Sequence, residues 1–597
     1  MKILSQIQDN CNKSTVPDII STPVNGVRLT GGLLRQVFDD NRTFMKRLSF
    51  DAMLYWFDKK SGQSPDVQPY RGWFEDALKG QTASQYLMGA GNTLRWEMDE
   101  ELASGAEIIL DKLEKTAEAD GFMMPIKQSE FANGEYPNYV RIWLTYGLGA
   151  AGLAGNSRAF ELLRRWQDWF NSCDALPIVK HLHLAYQGIV ASTWAYFLPL
   201  GIEEDIEVAR TYYEESWRLA QFIRRESNAV AERRPQGDEP HAHGTELESF
   251  EGYLDLYRYT GTGYYLDAVL GAWEMYTRDW QHPGGGIVMC EFMDAWPGCG
   301  WITSAKPYNE LCCSAFWIGL NQRLHRLFPD EERYVAEIEK SLYNVAIANQ
   351  DGSESIRYFA RMEGRKDPGR LNTCCCGVGT RLFGSLPEYI YSLSEDAVYV
   401  DMYADSVLEW TRSDAVVKLA MQTDMPFDSK VSLALSMDES EHFTLALRMP
   451  GWMAEMTPIM LNGSPIGTGT PGNYFKLERN WANGDTIEFS LPMAFRWREY
   501  KGADQIPGLN QRPALNVKRV SFEYGPLLYA VKGKQDYNDS ILIWQEPENV
   551  NTWVRAADTP LEFGIEGRNE LRFVPYFKLG DNETFTCFPV FPQPGYE

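Results

Sequence analysis

Two short stretches of the chain hold the residue types best suited to chemistry. "NELCCSAFW" offers Glu310, Cys312 and Cys313, and "LNTCCCGVGT" offers Cys374, Cys375 and Cys376 in succession. Neighbouring cysteines seldom bond to each other, because a disulfide wants its Cα atoms further apart than one peptide step comfortably allows. Three thiols in a row therefore point to metal ligation, a reactive thiolate, or burial as small apolar side chains. A carboxylate near a cysteine pair, joined by thiolates from the second stretch, could close a tetrahedral zinc site. Such a sulfur-rich donor set selects zinc over magnesium or calcium. The spacing alone leaves two readings open: no Cys-x-x-Cys is present, and Cys312 and Cys313 also suit the buried face of a helix continuing "SAFWIGL".

Seven of the ten cysteines fall between Cys290 and Cys376, a clustering that fits reduced, metal-binding or catalytic thiols better than a disulfide scaffold. The N-terminus "MKILSQIQDNCNK" turns polar too early for a secretory signal, which points to a cytoplasmic protein unless a leader has been removed. No apolar run reaches the roughly 18 residues that cross a bilayer, so no membrane partner is expected. A net charge of -25 leaves no basic surplus for phosphates and argues against a nucleic-acid partner. A homodimer is the candidate assembly. The 19 tryptophans and 31 tyrosines suit sugar-binding clefts, although most of them belong to cores.

The elements that position these residues are helical from about residue 30 to 390. "DEELASGAEIILDKLEKTAEADG" starts at Asp99 as an N-cap and stops at Gly121, with Leu102, Ile109, Leu110, Leu113 and Ala117 on one face. Two amphipathic helices meet at a Thr-Gly-Thr-Gly turn near Gly261, and Val335, Ile338, Leu342 and Val345 recur at helical spacing. Helix pairs repeating every 40 to 60 residues or so suggest a bundle or a toroid of helical hairpins. After about Tyr391 the period changes to that of strands, in "VSLALSM" and "HFTLALRMP". Asn462-Gly463 and Asn483-Gly484 are hairpin signals, and "REYKGADQIPGLNQRP" (498–513) reads as a linker to a second β unit. The expected layout is a multidomain α+β chain. An N-terminal segment (1–30) packs on a β-sandwich, a helical domain (31–390) carries the cysteines, and two β-sandwiches follow (391–500 and 501–597).

Glu310-x-Cys312 and the later "CCCGVGTRLFGSLPEYIYS" resemble glycoside hydrolase family 127, the β-L-arabinofuranosidases and their relatives. Members carry Glu-Thr-Cys, then Cys-Cys-Pro-Pro-Asn, an arginine, and a segment ending Tyr-Ile-Tyr-Ser. "YRGWFEDALKG", "YLMGAGNTLRW", "TGTGYYLDA", "LALRMPGW", "LNGSPIG" and "FEYGPLLYA" resemble family segments in the same order. The resemblance implies an (α/α)6 barrel followed by two β-sandwiches, and a retaining exo-glycosidase acting on β-L-arabinofuranosides or a related plant-derived pentofuranoside. It implies Zn2+ held by Glu310, Cys312, Cys374 and Cys375, with Cys374 as nucleophile. Metal coordination would keep that thiol in its nucleophilic thiolate form. The general acid/base of the family falls on Glu291, with Asp294 as the alternative, and retention expects Glu291 roughly 5 Å from the Cys374 sulfur. Substrate contacts fall on His241, His243, His183 and Trp73. His181 and His183 read equally as structural histidines, His243 stands where the family has an asparagine, and His282, His325 and His442 read as structural.

The departures from the family pattern are local. Cys376-Gly377-Val378 stands where the family has Pro-Pro-Asn, and Gln81 and Gln85 stand where histidines are expected. They suggest a retained catalytic apparatus reading a different sugar, branched or carboxylated. A non-catalytic, carbohydrate-binding relative with a structural zinc is the competing reading.

Overall fold

The computed structural model describes residues 15–70, 78–133, 135–173, 219–226, 244–287, 308–371, 373–412, 415–500, 517–534, 536 and 541–592. The helical part comprises α1 (Gly32–Lys46), α2 (Phe50–Lys60), α3 (Gln81–Leu94), α4 (Glu100–Thr116), α5 (Glu135–Leu153) and α6 (Ser157–Ser172). After these come α7 (Leu219–Ile223), α8 (Gly244–Thr260), α9 (Gly263–Asp279), α10 (Leu311–Leu327), α11 (Glu332–Ser341) and α12 (Cys374–Gly384).

Helix α4 follows the sequence signals at its start. Asp99 accepts hydrogen bonds from the Glu101 and Leu102 amides, and Leu102, Ile109, Leu110 and Leu113 are buried. Burying each such side chain contributes roughly 1.5–3 kcal/mol. The helix stops five residues before the expected Gly121, because Ala117 is extended and a separate turn closes from the Gly121 amide to the Glu118 carbonyl. The turn at Gly261 separates α8 from α9 as expected. Val335, Ile338, Leu342 and Val345 are all buried, with α11 running into a single π-helical turn over Leu342–Ala346.

Helices α5, α3, α12, α10 and α8 pack side by side as an arc, and α6, α4, α11 and α9 lie against α5, α3, α10 and α8 respectively. Helices α3 and α5 touch backbone to backbone. A Cβ on Gly91 would sit 2.4 Å from the Ala150 carbonyl carbon, and one on Gly147 would sit 2.4 Å from the Ser84 oxygen. Only glycine allows that approach.

From Tyr391 onward the chain is β-rich. One sheet runs Val27–Leu29, Ser406–Arg412, Ala415–Thr423, Lys430–Met437, Thr486–Ser490, Thr457–Leu461, Ser464–Gly469. A second runs Asn473–Trp481, Glu441–Met449, Ala397–Val400, Tyr391–Leu393. Asn462 and Gly463 adopt φ of 50° and 77° and join Thr457–Leu461 to Ser464–Gly469 as a hairpin. Asn483-Gly484 does not make the hairpin its sequence signalled. It connects strands of different sheets, held by Asp485 Oδ2 accepting from the Ala482 amide and Asn483 Oδ1 accepting from the Met437 amide. Arg498–Tyr500, expected to open a linker, instead belongs to strand Phe495–Tyr500, which pairs with Val517–Tyr524 in a third sheet.

A buried polar network joins the helices to the second sheet. Arg448, 0% exposed, donates to Glu332 Oε1 at 2.8 Å and Glu339 Oε2 at 2.9 Å, both on α11, and Trp452 Nε1 donates to Glu339 at 2.6 Å. His325, at the end of α10, lies 3.1 Å from Asp401 Oδ1. Among the described residues no helix is long and apolar enough to cross a membrane.

Candidate functional site

Two helix N-termini meet at the cysteines. The Thr373 hydroxyl caps α12 by accepting from the Cys376 amide at 3.1 Å, which starts the helix at Cys374. Glu310 occupies the capping position of α10 but makes no capping hydrogen bond with its side chain. Its carboxylate turns toward the cysteines, with Oε1 3.8 Å from Cys375 Sγ and Oε2 3.7 Å from Cys313 Sγ. The short strand Tyr308–Glu310 pairs with Phe359–Arg361, placing Glu310 opposite Phe359 and bringing the adjacent Tyr358 to the site.

The ligand atoms of Glu310, Cys312, Cys374 and Cys375 all lie within 4.8 Å of one another, and all four residues are buried. Cys312 Sγ and Cys375 Sγ are 3.2 Å apart. Zinc–sulfur bonds of about 2.3 Å at tetrahedral angles set neighbouring sulfurs roughly 3.8 Å apart, so this cluster needs only a small expansion to hold the ion. One carboxylate with three thiols is the donor chemistry of a soft divalent metal. The residues present fit zinc.

The third cysteine of the run stands apart. Cys376 accepts from the Thr373 hydroxyl at 3.2 Å and points its sulfur at the Arg370 carbonyl, also at 3.2 Å, while burial pushes its thiol up to about 11. Helical geometry explains the split, since successive residues of α12 point about 100° apart.

Electrostatics single out Cys374. Hydrogen bonding from Cys312, then Cys375, holds it well below the ordinary thiol range in spite of burial, with smaller contributions from Tyr358 and Tyr139. Burial instead drives Cys312 and Cys375 well above that range. The shared hydrogen bonds thus favour ionisation at Cys374 over Cys312 and Cys375. Cys374 is also the first residue of α12, where the positive end of the helix dipole favours an anion. Tyr358 Oη lies 3.5 Å from its sulfur. Neither Tyr358 nor Tyr139 was singled out in the sequence: one reaches the site across a two-strand ladder and the other from α5, and no local motif marks such contacts.

The two departures from the family pattern prove to be neighbours. Gln85, buried on α3, lies over Gly377 so closely that a Cβ there would sit 2.3 Å from Gln85 Cδ. Gln81 is buried at the start of the same helix. None of Cys312, Cys374, Cys375, Cys376 or Cys587 forms a disulfide, in keeping with the reduced thiols expected. Glu291, Asp294, His181, His183, His241, His243 and Trp73 lie outside the described residues.

Residues 26–388 match the profile described as the β-L-arabinofuranosidase GH127 catalytic domain, and residues 397–493 match the GH127 middle domain. A solved GH127 β-arabinofuranosidase aligns at 18% identity over 96% of this chain and 98% of its own, with a TM-score of 0.73. A GH127 β-L-arabinofuranosidase from Geobacillus stearothermophilus T6 aligns at 18% identity over 95% of this chain and all of its own, with a TM-score of 0.69. At such identities the likeness shows a common fold. No curated protein matches the chain. The resemblance carried by Glu310-x-Cys312 and the cysteine run therefore holds, and with the catalytic-domain profile spanning 26–388, this chain belongs to glycoside hydrolase family 127.

Proposed function

We propose that this chain is a retaining exo-glycosidase whose nucleophile is the Cys374 thiolate, acting on β-L-arabinofuranosides or a related plant-derived pentofuranoside. One observation carries the reading: Glu310, Cys312, Cys374 and Cys375 present their ligand atoms within 4.8 Å of one another at the meeting of two helix N-termini. In this reading those four residues hold a zinc ion, and the arc of helices closes as a six-hairpin toroid around the site. A bound divalent cation supplies positive charge that keeps its thiol ligands deprotonated.

The chain's own residues perform the rest. Cys374 attacks the anomeric carbon, forming a carbon–sulfur bond as the bond to the leaving oxygen breaks. That oxygen takes the proton of Glu291, the acid in this assignment. Glu291 then accepts a proton from water, whose oxygen attacks the same carbon and releases Cys374 as thiolate. Two inversions give net retention. The flanking Tyr358 hydroxyl is positioned to stabilise negative charge on the sulfur in the free enzyme and as it is regenerated.

The Gln85–Gly377 contact favours a second reading on the same mechanism, a branched or carboxylated sugar. It replaces two expected residues together, Gly377 in the helix that begins with the nucleophile and Gln85 on the helix packed against it. Aryl glycosides of several pentofuranoses, assayed with and without a zinc chelator and a thiol reductant, test both readings. Hydrolysis that depends on metal and reductant is expected, and the preferred sugar decides between them. Turnover indifferent to both agents counts against the mechanism, and binding without hydrolysis of any sugar identifies a non-catalytic relative.

A further inference from the structure

The five helices that form the arc also bring their C-terminal halves together, around a cavity of about 690 Å³ covered by the segment Pro17–Val24. In a chain of net charge -25, its wall holds five arginines: Arg95, Arg258, Arg323, Arg326 and Arg381. Part of this is ordinary electrostatics, because cations are favoured at helix C-termini. Carboxylates meet most of the charge. Asp255 lies 2.7 Å from Arg323, Asp18 3.1 Å from Arg258, and Glu251 3.4 Å from Arg323. Glu388 is shared: Arg326 holds it at 2.6 Å, while Arg95 approaches it only to 3.9 Å. Five guanidinium groups thus face four carboxylates in and behind the wall, and a fifth, Glu395, is exposed at the rim.

The same wall carries buried polar atoms that no hydrogen bond from a described residue satisfies. Among the described residues, the Nε–H groups of Arg95, Arg258 and Arg326 have no hydrogen-bond partner, nor has Oε1 of Glu251, a residue 1% exposed whose Oε1 is approached by Arg381 only to 3.9 Å. Native proteins rarely leave buried donors and acceptors unpaired, and several converging on one concave surface mark a place where a polar ligand is recognised.

We propose that this cavity is a second ligand site, taking a small hydroxylated carboxylate such as a sugar acid, whose carboxylate sits between Arg95 and Arg326 and whose hydroxyls donate to Glu251. Arg forks are matched to carboxylate oxygens, and Arg95 stands 3.9 Å from Glu388, the carboxylate it shares with Arg326. The volume lies in the ordinary range for small-molecule sites. The site is distinct from the cysteine cluster. Arg381 lies about 10 Å along α12 from Cys374, at 1.5 Å per residue, and Arg326 is at the far end of α10 from Cys312.

Calorimetric titration of the full chain with glucuronate, gluconate, glucose and inorganic phosphate tests the proposal. Saturable one-site binding of at least one acid is expected, at least about tenfold tighter than glucose or phosphate and unchanged in Cys374→Ser. Arg95→Gln and Arg326→Gln should each weaken it about tenfold or more, with Arg95→Lys intermediate. No binding of either acid at millimolar concentration, or equal binding in a folded Arg95→Gln protein, overturns the proposal. Phosphate binding as tightly as the acids overturns the sugar-acid assignment. Should the arginine variants fail to fold, hydrogen exchange of the wild-type chain decides. The acid should slow exchange over residues 17–24, where the Ile19 and Ile20 amides donate to the Arg326 carbonyl, and unchanged exchange there contradicts the site.

Discussion

Cys312 Sγ and Cys375 Sγ lie 3.2 Å apart although 63 residues separate them in the chain. The contact exists because α10 and α12 lie side by side and begin at the same end, each opening on cysteines. Two helix N-termini favour negative charge at that point, and three thiols and a carboxylate are placed to carry it.

Metal content follows from this arrangement. The purified protein should hold one zinc ion per chain. Cys375→Ser and Glu310→Gln should each lower occupancy, and a strong chelator should lower the melting temperature of the wild type. Elemental analysis and thermal unfolding measure both. Full occupancy in Cys375→Ser would remove that residue from the ligand set.

The three adjacent cysteines should differ sharply. Cys374→Ser should lose at least about 10³-fold in kcat while remaining folded, as expected for a missing nucleophile. Cys376→Ser, whose sulfur faces Thr373 and Arg370 instead of the cluster, should retain activity within about tenfold. Comparable losses in both variants would mean that the division seen along α12 does not govern the chemistry.

Gly377→Ala should destabilise the protein by about 1–3 kcal/mol, the usual cost of overpacking, because the new methyl meets Gln85 at 2.3 Å. The double variant Gly377→Ala with Gln85→Ala should recover most of that loss. Denaturant unfolding of the three variants decides, and additive losses would show that the two positions are not in contact.

His282 should make the fold sensitive to acid. Burial lowers its pKa to about 4, against a hydrogen bond with Asn309 Oδ1 at 2.8 Å that acts the other way. Above about pH 6.5 the ring is neutral in folded and unfolded chains alike. Below it, the unfolded chain takes up a proton that the folded one resists, so stability falls as the pH drops from about 6.5 toward 4, by up to about 3 kcal/mol. Urea midpoints across this range should show a shallower fall in His282→Gln. Parallel curves for the two proteins would contradict it.

The residue types of the cluster stood out in the sequence, and the family resemblance carried by Glu310-x-Cys312 and Cys374-Cys375 named the four residues that come together. Strand periodicity likewise located Lys430–Met437 and Glu441–Met449 to within a residue. What escaped is non-local. Asn462-Gly463 and Asn483-Gly484 look alike as dipeptides, yet only the first joins paired strands, because pairing is decided by the sheet each strand enters. Gln85 and Gly377 could be seen as separate departures, while their contact depends on how α3 packs against α12. Tyr358 reaches Cys374 through the ladder beside Glu310, which no spacing within either stretch encodes.

The central claim is that Cys374 attacks sugar. Rapid quenching of the enzyme with a slow, activated pentofuranoside, followed by peptide mass spectrometry, tests it most directly. A single glycosyl adduct on the Cys374 sulfur, formed and lost at rates consistent with turnover, is the predicted result. Full turnover with the sugar captured on a carboxylate, or with Cys374 never modified, would contradict the account.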